Sequence, residues 1–242
     1  MSADEDILRP KPNKVNPENS PYSAKFINLV DGSKMVVRQI TREETKKVIP
    51  LFYDIVKINK DFYDLVGARI LGELLAYVQY RVQDEYVLLG QVHDTGEVLG
   101  LVNGYLSFND PKIGISYHTM TFKRGLRVGA HLFVAKMEHH LDYLQNDEVK
   151  IVAESHIGFR RWMEELRLEE NFDFEHPVGG VPSYNLTRKN WESYVKPERC
   201  FGTENRPIPE EYLKTVKENI LLPEDVMYQI TGTPKDEFLK GF

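Results

Sequence analysis

Three cations and two glycines lie together in the stretch KRGLRVG, Lys123–Gly129, immediately before a segment with a strongly helical pattern. Backbone N–H groups at the start of a helix carry the positive end of its dipole, and glycine lets a phosphate approach them closely. Arg124 and Arg127 add side chains that form forked hydrogen bonds to phosphate oxygens. The composition and spacing therefore predict an anion-binding loop, and an ordinary solvated turn is the alternative interpretation.

Other side chains that could do chemistry form weaker patterns. His131, His139 and His140 share one predicted helix, but no two of them have the i, i+4 spacing that brings two imidazoles to one metal ion. We interpret them as surface residues and expect no metal site. Cys200 has no neighbouring motif that marks a nucleophile, so a structural or incidental role is expected.

The length and charge of the chain restrict its class. With 242 residues, of which 41% are hydrophobic, the chain can bury one substantial core with additions, or two small cores. Its net charge of −6 and pI of about 5.7 argue against the broad basic surface that nucleic acid requires. A single cysteine, the lack of an apolar leader, and the lack of any apolar run near about 18 residues predict a cytoplasmic protein without a membrane partner.

The hydrophobic pattern divides the chain into three regions. Residues 1–33 are rich in proline and polar side chains and predict an N-terminal arm. Residues 34–188 form the predicted core domain, with elements in the order β-α-α-β-β-β-α-β-α-β-β. Its first helix is expected to start at Thr41, because Thr41 and Glu44 have the spacing of a capping box. The last elements are a strand, a helix and two strands, at 149–155, 158–168, 171–176 and 181–188.

Residues 189–242 form a C-terminal extension whose composition does not fit a disordered tail. It contains several large aromatic side chains: Trp191, Tyr194, Phe201, Tyr212 and Phe238. Prolines interrupt it, which predicts short pieces of chain that lie over an existing surface. We expect the extension to pack on the core domain or on a partner, and a homodimer is one form that such a partner could take.

The element order and the strand-loop-helix centred on RGLRVGAHL resemble the GNAT superfamily of acyl-CoA-dependent N-acyltransferases. The family pattern Arg/Gln-x-x-Gly-x-Gly/Ala begins here at Arg124 and ends at Gly129, followed by Ala130, while Arg127 occupies the central glycine place. The resemblance implies an α/β fold, with a mixed, mainly antiparallel sheet and helices on both faces. It also implies that the strands ISYHTMTF and VKIVAES are parallel neighbours joined by the helix from Ala130.

The resemblance implies acetyl-CoA or another acyl-CoA as the donor, with no metal. The loop is expected to hold the pyrophosphate of coenzyme A, and the end of the preceding strand is expected to pair with the pantetheine arm. Transferred to this sequence, the cofactor-binding residues are Thr119, Met120, Thr121, Arg124, Gly125, Leu126, Arg127, Val128, Gly129 and Ala130. Because glycine is replaced at Arg127, a positive φ there would cost about 1–2 kcal/mol.

The catalytic residues of the family are harder to place. The family frequently uses a Glu on the strand before the loop, but here Ile113, Ile115 and Tyr117 occupy one face, and His118 occupies the other. The tyrosine that the family carries on a later helix falls on Met163, which cannot donate a proton. Tyr117 is the substitute candidate, although an aromatic residue at that position also fits the core.

Two hypotheses about function follow. The first is an acyl-CoA-dependent N-acyltransferase, most simply an N-acetyltransferase, that acts on an amine of a small molecule or of a protein. The second is a catalytically inactive GNAT-like subunit that serves binding or assembly. The cations clustered at the loop favour the first hypothesis, because a loop without a ligand would have little need of them.

Overall fold

The structure is a computed structural model that describes residues 21–107, 110–152, 166–171, 183–202 and 206–241. Eight strands form a single sheet in the described part of the chain. They are β1 (Lys25–Asn28), β2 (Lys34–Gln39), β3 (Glu85–Val92), β4 (Val98–Leu106), β5 (Ile113–Thr121), β6 (Glu148–Val152), β7 (Glu169–Glu170) and β8 (Ser183–Thr187). The predicted helix 158–168, apart from its end, and most of the predicted strand 171–176 lie outside the described residues.

The strand order across the sheet is β1-β2-β3-β4-β5-β6-β8-β7. Every neighbouring pair is antiparallel except β5 and β6, which run parallel. Parallel neighbours need a crossover connection, and a helix supplies it here between Thr121 and Glu148. The prediction of a mixed, mainly antiparallel sheet is therefore confirmed, including its one parallel pair.

Two helices, α1 (Arg42–Ile55) and α2 (Tyr63–Val78), cover one face of the sheet. The predicted capping box is present, because the side chains of Thr41 and Glu44 each accept from the backbone N–H of the other residue. Pro50 lies inside α1, yet the helix continues through it. The apolar faces of both helices pack with inward side chains of β3, β4 and β5, such as Leu89 and Met120.

The helix α3 (Val128–Glu138) covers the other face and continues as a π-helical turn over His139–Tyr143. Its buried side chains contribute to two apolar clusters. Leu132 packs with side chains of β2, β3 and β4, whereas Phe133 and Met137 pack towards β6 and β8. The structure thus has helices on both faces of the sheet, and α3 spans the parallel pair whose two strands it joins.

The C-terminal extension lies against the core along much of its length. Short helical turns over Arg188–Arg199 bury Trp191 and Val195 next to α3 and β8. The helices α4 (Glu210–Glu218), α5 (Val226–Thr231) and α6 (Lys235–Phe238) follow. Helix α5 buries its apolar residues in the cluster beneath α1 and α2. None of the helices in the described ranges is long and apolar enough to cross a membrane.

Candidate functional site

The parallel strands β5 and β6 diverge after a short paired stretch. Their register joins Ile113 with Glu148 and ends where Ser116 meets Ile151. Beyond Ser116 the end of β5 keeps its pairing with β4, in which Thr119 to Thr121 face Val102 to Gly100. In the described part of the chain, the end of β5 therefore has no partner on its β6 side, and an unpaired edge of this kind can pair with an extended ligand.

A cavity of about 560 Å³ lies at this end of β5 and at the start of α3. Its described walls come from five parts of the chain: the residues before and within α2, the end of β5 with the following loop, the first half of α3, Leu166 before β7, and the C-terminal extension. The described lining residues are Asp61, Phe62, Tyr63, Val66, Thr119, Met120, Thr121, Lys123, Arg124, Gly125, Arg127, Val128, Gly129, Ala130, His131, Phe133, Val134, Leu166, Arg199 and Phe201.

The loop between β5 and α3 has the backbone that an anion site needs. Arg127 precedes the first residue of α3 with φ of 60° and ψ of 18°, and no described side chain caps this helix start. The N–H groups of Ala130 and His131 donate to the Arg127 carbonyl, so those of Val128 and Gly129 are the ones that can donate to a ligand. Gly125 has φ of 88°, and a Cβ on Gly129 would lie 3.1 Å from Thr121. Both glycines therefore serve the tight course of the loop.

Arg127, which occupies the central glycine place of the family pattern, has a positive φ. A non-glycine residue takes the left-handed conformation here, and it lines the cavity. This backbone costs about 1 kcal/mol compared with glycine. The loop keeps the conformation that glycine would favour and places a cationic residue at the wall.

Cations dominate the charged side chains of the cavity. Four cationic residues and one carboxylate are present in the described wall: Lys123, Arg124, Arg127 and Arg199 against Asp61. Arg124 donates to Asp61 over 2.6 Å, and its guanidinium group lies 5.3 Å from the centre of the Tyr63 ring. This local excess of positive charge contrasts with the net charge of −6 of the whole chain.

Nine of the ten residues predicted to bind a cofactor line this single cavity. The exception is Leu126, whose side chain packs against the apolar cluster under α3. Tyr117 is not part of the described wall. Its ring packs against that of Tyr105, with 4.5 Å between the centroids, and burial raises the pKa of Tyr117, with a further contribution from Tyr105. Met163 lies outside the described residues.

A polar cluster that the sequence did not reveal lies one residue before the cavity wall, at His118. Nε2 of His118 is 3.0 Å from Oε1 of Glu73 on α2. The other carboxylate oxygen of Glu73 accepts from Asn103 over 2.6 Å. Asn103 also donates to Glu85 and accepts from the backbone N–H of His118. Glu73 thus orients the imidazole of His118, and Asn103 in turn orients Glu73.

Two further groups in this cluster have shifted pKa values. Burial lowers the pKa of Lys136 on α3 to about 7, against the opposing effect of Glu73, and its Nζ donates to the carbonyl of His118 over 3.0 Å. Burial raises the pKa of Glu85 to about 8, and the nearby carboxylates of Glu73 and Asp84 act in the same direction. Displaced pKa values of this kind concentrate at functional sites.

The interpretation of the helical histidines as surface residues was wrong for two of them. His139 and His140 are fully buried, and His131 is half-buried. Nδ1 of His140 is 2.9 Å from the side-chain oxygen of Asn146, while neither ring nitrogen of His139 has a hydrogen-bond partner among the described residues. Burial lowers the pKa of both, so these imidazoles are neutral. In the described ranges, no group of three or more His, Cys, Asp or Glu residues could hold a metal ion.

Comparisons with known proteins concern the fold. No protein-family model and no curated protein matches the sequence. The apo form of FdhC, described as a nucleotide-linked sugar GNAT, matches with a TM-score of 0.51 and 10% identity, over 75% of this chain and 97% of that chain. An uncharacterized protein from Bacillus halodurans matches with a TM-score of 0.50 and 8% identity, over 71% and 94% of the two chains. The sheet with its one parallel pair, the helices on both faces and these similarities together show that this chain has the GNAT fold.

Proposed function

We propose that this chain is an acyl-CoA-dependent N-acyltransferase, most simply an acetyltransferase, that transfers its acyl group to an amine. The cationic cavity at the start of α3 carries the proposal. Its described wall has four cations and one carboxylate, although the chain as a whole is acidic. Coenzyme A is a polyanionic thiol carrier, so its phosphates match a wall of this charge.

The course of β5 and its loop supports one orientation of the donor. The pyrophosphate lies over Leu126 to Ala130, where the N–H groups of the helix start meet Arg124 and Arg127. The pantetheine arm runs along Thr119 to Thr121, on the edge of β5 that β6 leaves open after Ser116. This orientation directs the thioester towards the middle of β5, where His118 and its polar cluster lie.

Acyl transfer needs a neutral amine and a proton acceptor. The amine nitrogen attacks the thioester carbonyl carbon, the C–S bond breaks, and coenzyme A leaves as a thiolate. We assign the acceptance of the amine proton to His118, because Glu73 orients its ring at 3.0 Å and stabilises the imidazolium that forms. Tyr117 is the proposed donor of a proton to the thiolate, because its ring stacks beside that of His118 with 6.1 Å between the centroids.

Calorimetric titration of the intact chain with acetyl-CoA and with free coenzyme A tests the proposal. Both ligands are expected to bind, and Arg124→Ala is expected to weaken binding by about 1–3 kcal/mol through loss of charge-assisted hydrogen bonds. Lys57→Ala is the matched control, because Lys57 forms a similarly exposed ion pair with Asp54 outside the cavity. The control should leave both dissociation constants unchanged.

Arg127→Gly separates two roles of the residue at the family's glycine place. We expect weaker binding, because Arg127 is one of the four cationic residues of the described wall. Tighter binding would instead show that Arg127 obstructs the phosphates. If neither ligand binds to the parent chain or to this variant, the proposed function is refuted. If both bind but no amine is acylated, the inactive GNAT-like binding subunit is favoured.

A further inference from the structure

Two residues of the C-terminal extension line the cavity together with the loop before α3. Arg199 and Phe201 form part of the same described wall as Arg127 and Ala130. The ring of Phe201 meets that of His131, in the first turn of α3, with 6.0 Å between the centroids. Phe201 is 54% exposed, so its ring is accessible to a ligand at the edge of the cavity. The extension therefore takes part in the cavity as well as in the packing of the core.

A buried carboxylate fixes this part of the extension. The Sγ of Cys200, between the two wall residues, donates to Oε1 of Glu138 on α3 over 3.0 Å. Arg206 donates to both oxygens of the same carboxylate, over 2.6 and 3.1 Å. Gly202, with φ of 76°, turns the chain so close to Phe26 that a Cβ would lie 2.4 Å from the Phe26 carbonyl oxygen. The hydrogen bond of Cys200 and the close packing of Gly202 thus fix the backbone on both sides of Phe201.

The chemistry of the two wall residues matches a nucleotide that carries a phosphate. An exposed aromatic ring stacks on any nucleobase, and a guanidinium group binds phosphate through forked hydrogen bonds. Burial is the first cause of the lowered pKa of His131, and the positive charges of Lys25 and Arg127 lower it further. The charge of these two cations therefore also acts on this corner of the cavity. Such a corner is suited to an anionic nucleotide and unsuited to a cationic acceptor.

We propose that Phe201 and Arg199 bind the nucleotide end of the donor, with Phe201 stacked on the adenine and Arg199 on the 3′-phosphate. This inference rests on the proposed function. It specifies the donor as a free coenzyme A thioester, because a carrier protein that presents only 4′-phosphopantetheine has no adenine or 3′-phosphate to offer. The C-terminal extension, which lies outside the predicted core domain, then determines which donor is accepted.

Calorimetry with three ligands tests the proposal: coenzyme A, 3′-dephospho-coenzyme A and 4′-phosphopantetheine. Phe201→Ala is expected to weaken binding of coenzyme A and of its dephospho form about tenfold, because both carry the adenine. Arg199→Gln is expected to weaken coenzyme A about tenfold and to leave the dephospho form unchanged. Neither variant should alter binding of 4′-phosphopantetheine, and Phe201→Trp should retain the affinity for both nucleotides.

The controls are Tyr228→Ala and Lys189→Gln, which change an exposed aromatic residue and an exposed cation of the extension away from the cavity. Thermal melting establishes that every variant is folded. The proposal is overturned if Phe201→Ala binds coenzyme A as the parent does, or if 4′-phosphopantetheine binds the parent as tightly as coenzyme A. Failure of coenzyme A to bind the parent refutes the proposed function and this inference together.

Discussion

Glu138 gives a stability prediction whose size follows from its contacts. Its carboxylate accepts hydrogen bonds from Tyr22 over 2.5 Å, from Lys25 over 3.2 Å, and from Arg206 at both oxygens. The side chains of Lys25 and Glu138 are 1% and 2% exposed. Glu138→Gln leaves two cations without their counter-charge in a place that water does not reach. Breaking a buried pair in this way costs about 3–5 kcal/mol.

Urea and thermal unfolding measure this loss. In a chain of 242 residues, about 3–5 kcal/mol corresponds to a fall in melting temperature of about 6–20 °C. Glu210→Gln is the control, since Glu210 pairs with Lys217 at the surface and the change should cost below about 1 kcal/mol. Adding Lys25→Met to Glu138→Gln should recover part of the loss. A Glu138→Gln protein that unfolds within about 1 kcal/mol of the parent would refute the reasoning.

Two more predictions concern the polar cluster around His118. Burial raises the pKa of Glu85 to about 8 from an ordinary value of 4.5, so the folded chain keeps a proton that the unfolded chain loses. The free energy of unfolding should therefore fall as the pH rises from about 4.5 to 8, and Glu85→Gln should remove this part of the decline. Urea unfolding at several pH values measures it. The prediction is contradicted if the free energies of unfolding of the parent and the variant fall in parallel over this range. His118→Gln should lower the rate of acetyl transfer to primary amines by about 10²–10⁴-fold without changing the dissociation constant of acetyl-CoA, and an unaltered rate would exclude His118 as the base.

The sequence predicted those parts of the fold that local patterns determine. The capping box at Thr41 marks the start of α1, because the bonds it makes span only three residues. The alternation of apolar residues located β3 to β6, and the resemblance to the GNAT superfamily implied the parallel pair. The strand β1 was not predicted, since Lys25–Asn28 is short and obtains its hydrogen bonds from β2. A strand defined mainly by its partner has little pattern of its own.

Among the residues of the candidate site too, the sequence predicted those that lie close together along the chain and missed those that lie far apart. The loop from Arg124 to Ala130 is continuous in sequence, so its glycines and cations could be recognised together. Glu73 and His118 are separated by 45 residues, and a glutamate on an amphipathic helix has the same pattern whether it faces solvent or a buried imidazole. For the same reason, His139 and His140 could not be placed in the interior from helical spacing alone.

Helix α3 connects the stability of the chain to the proposed donor site. Its first turn follows the proposed anion-binding loop, and its last residue, Glu138, fixes the N-terminal segment and the C-terminal extension through Lys25, Cys200 and Arg206. Helices are stiff over this length, so the two ends keep a constant relation. The carboxylate at one end therefore determines where Phe201 lies relative to the loop at the other. Replacing a buried ion cluster with apolar side chains is often neutral or stabilising, so stability alone does not explain why such a cluster is retained. This cluster also positions the extension on the wall of the cavity, which is a second reason to retain it.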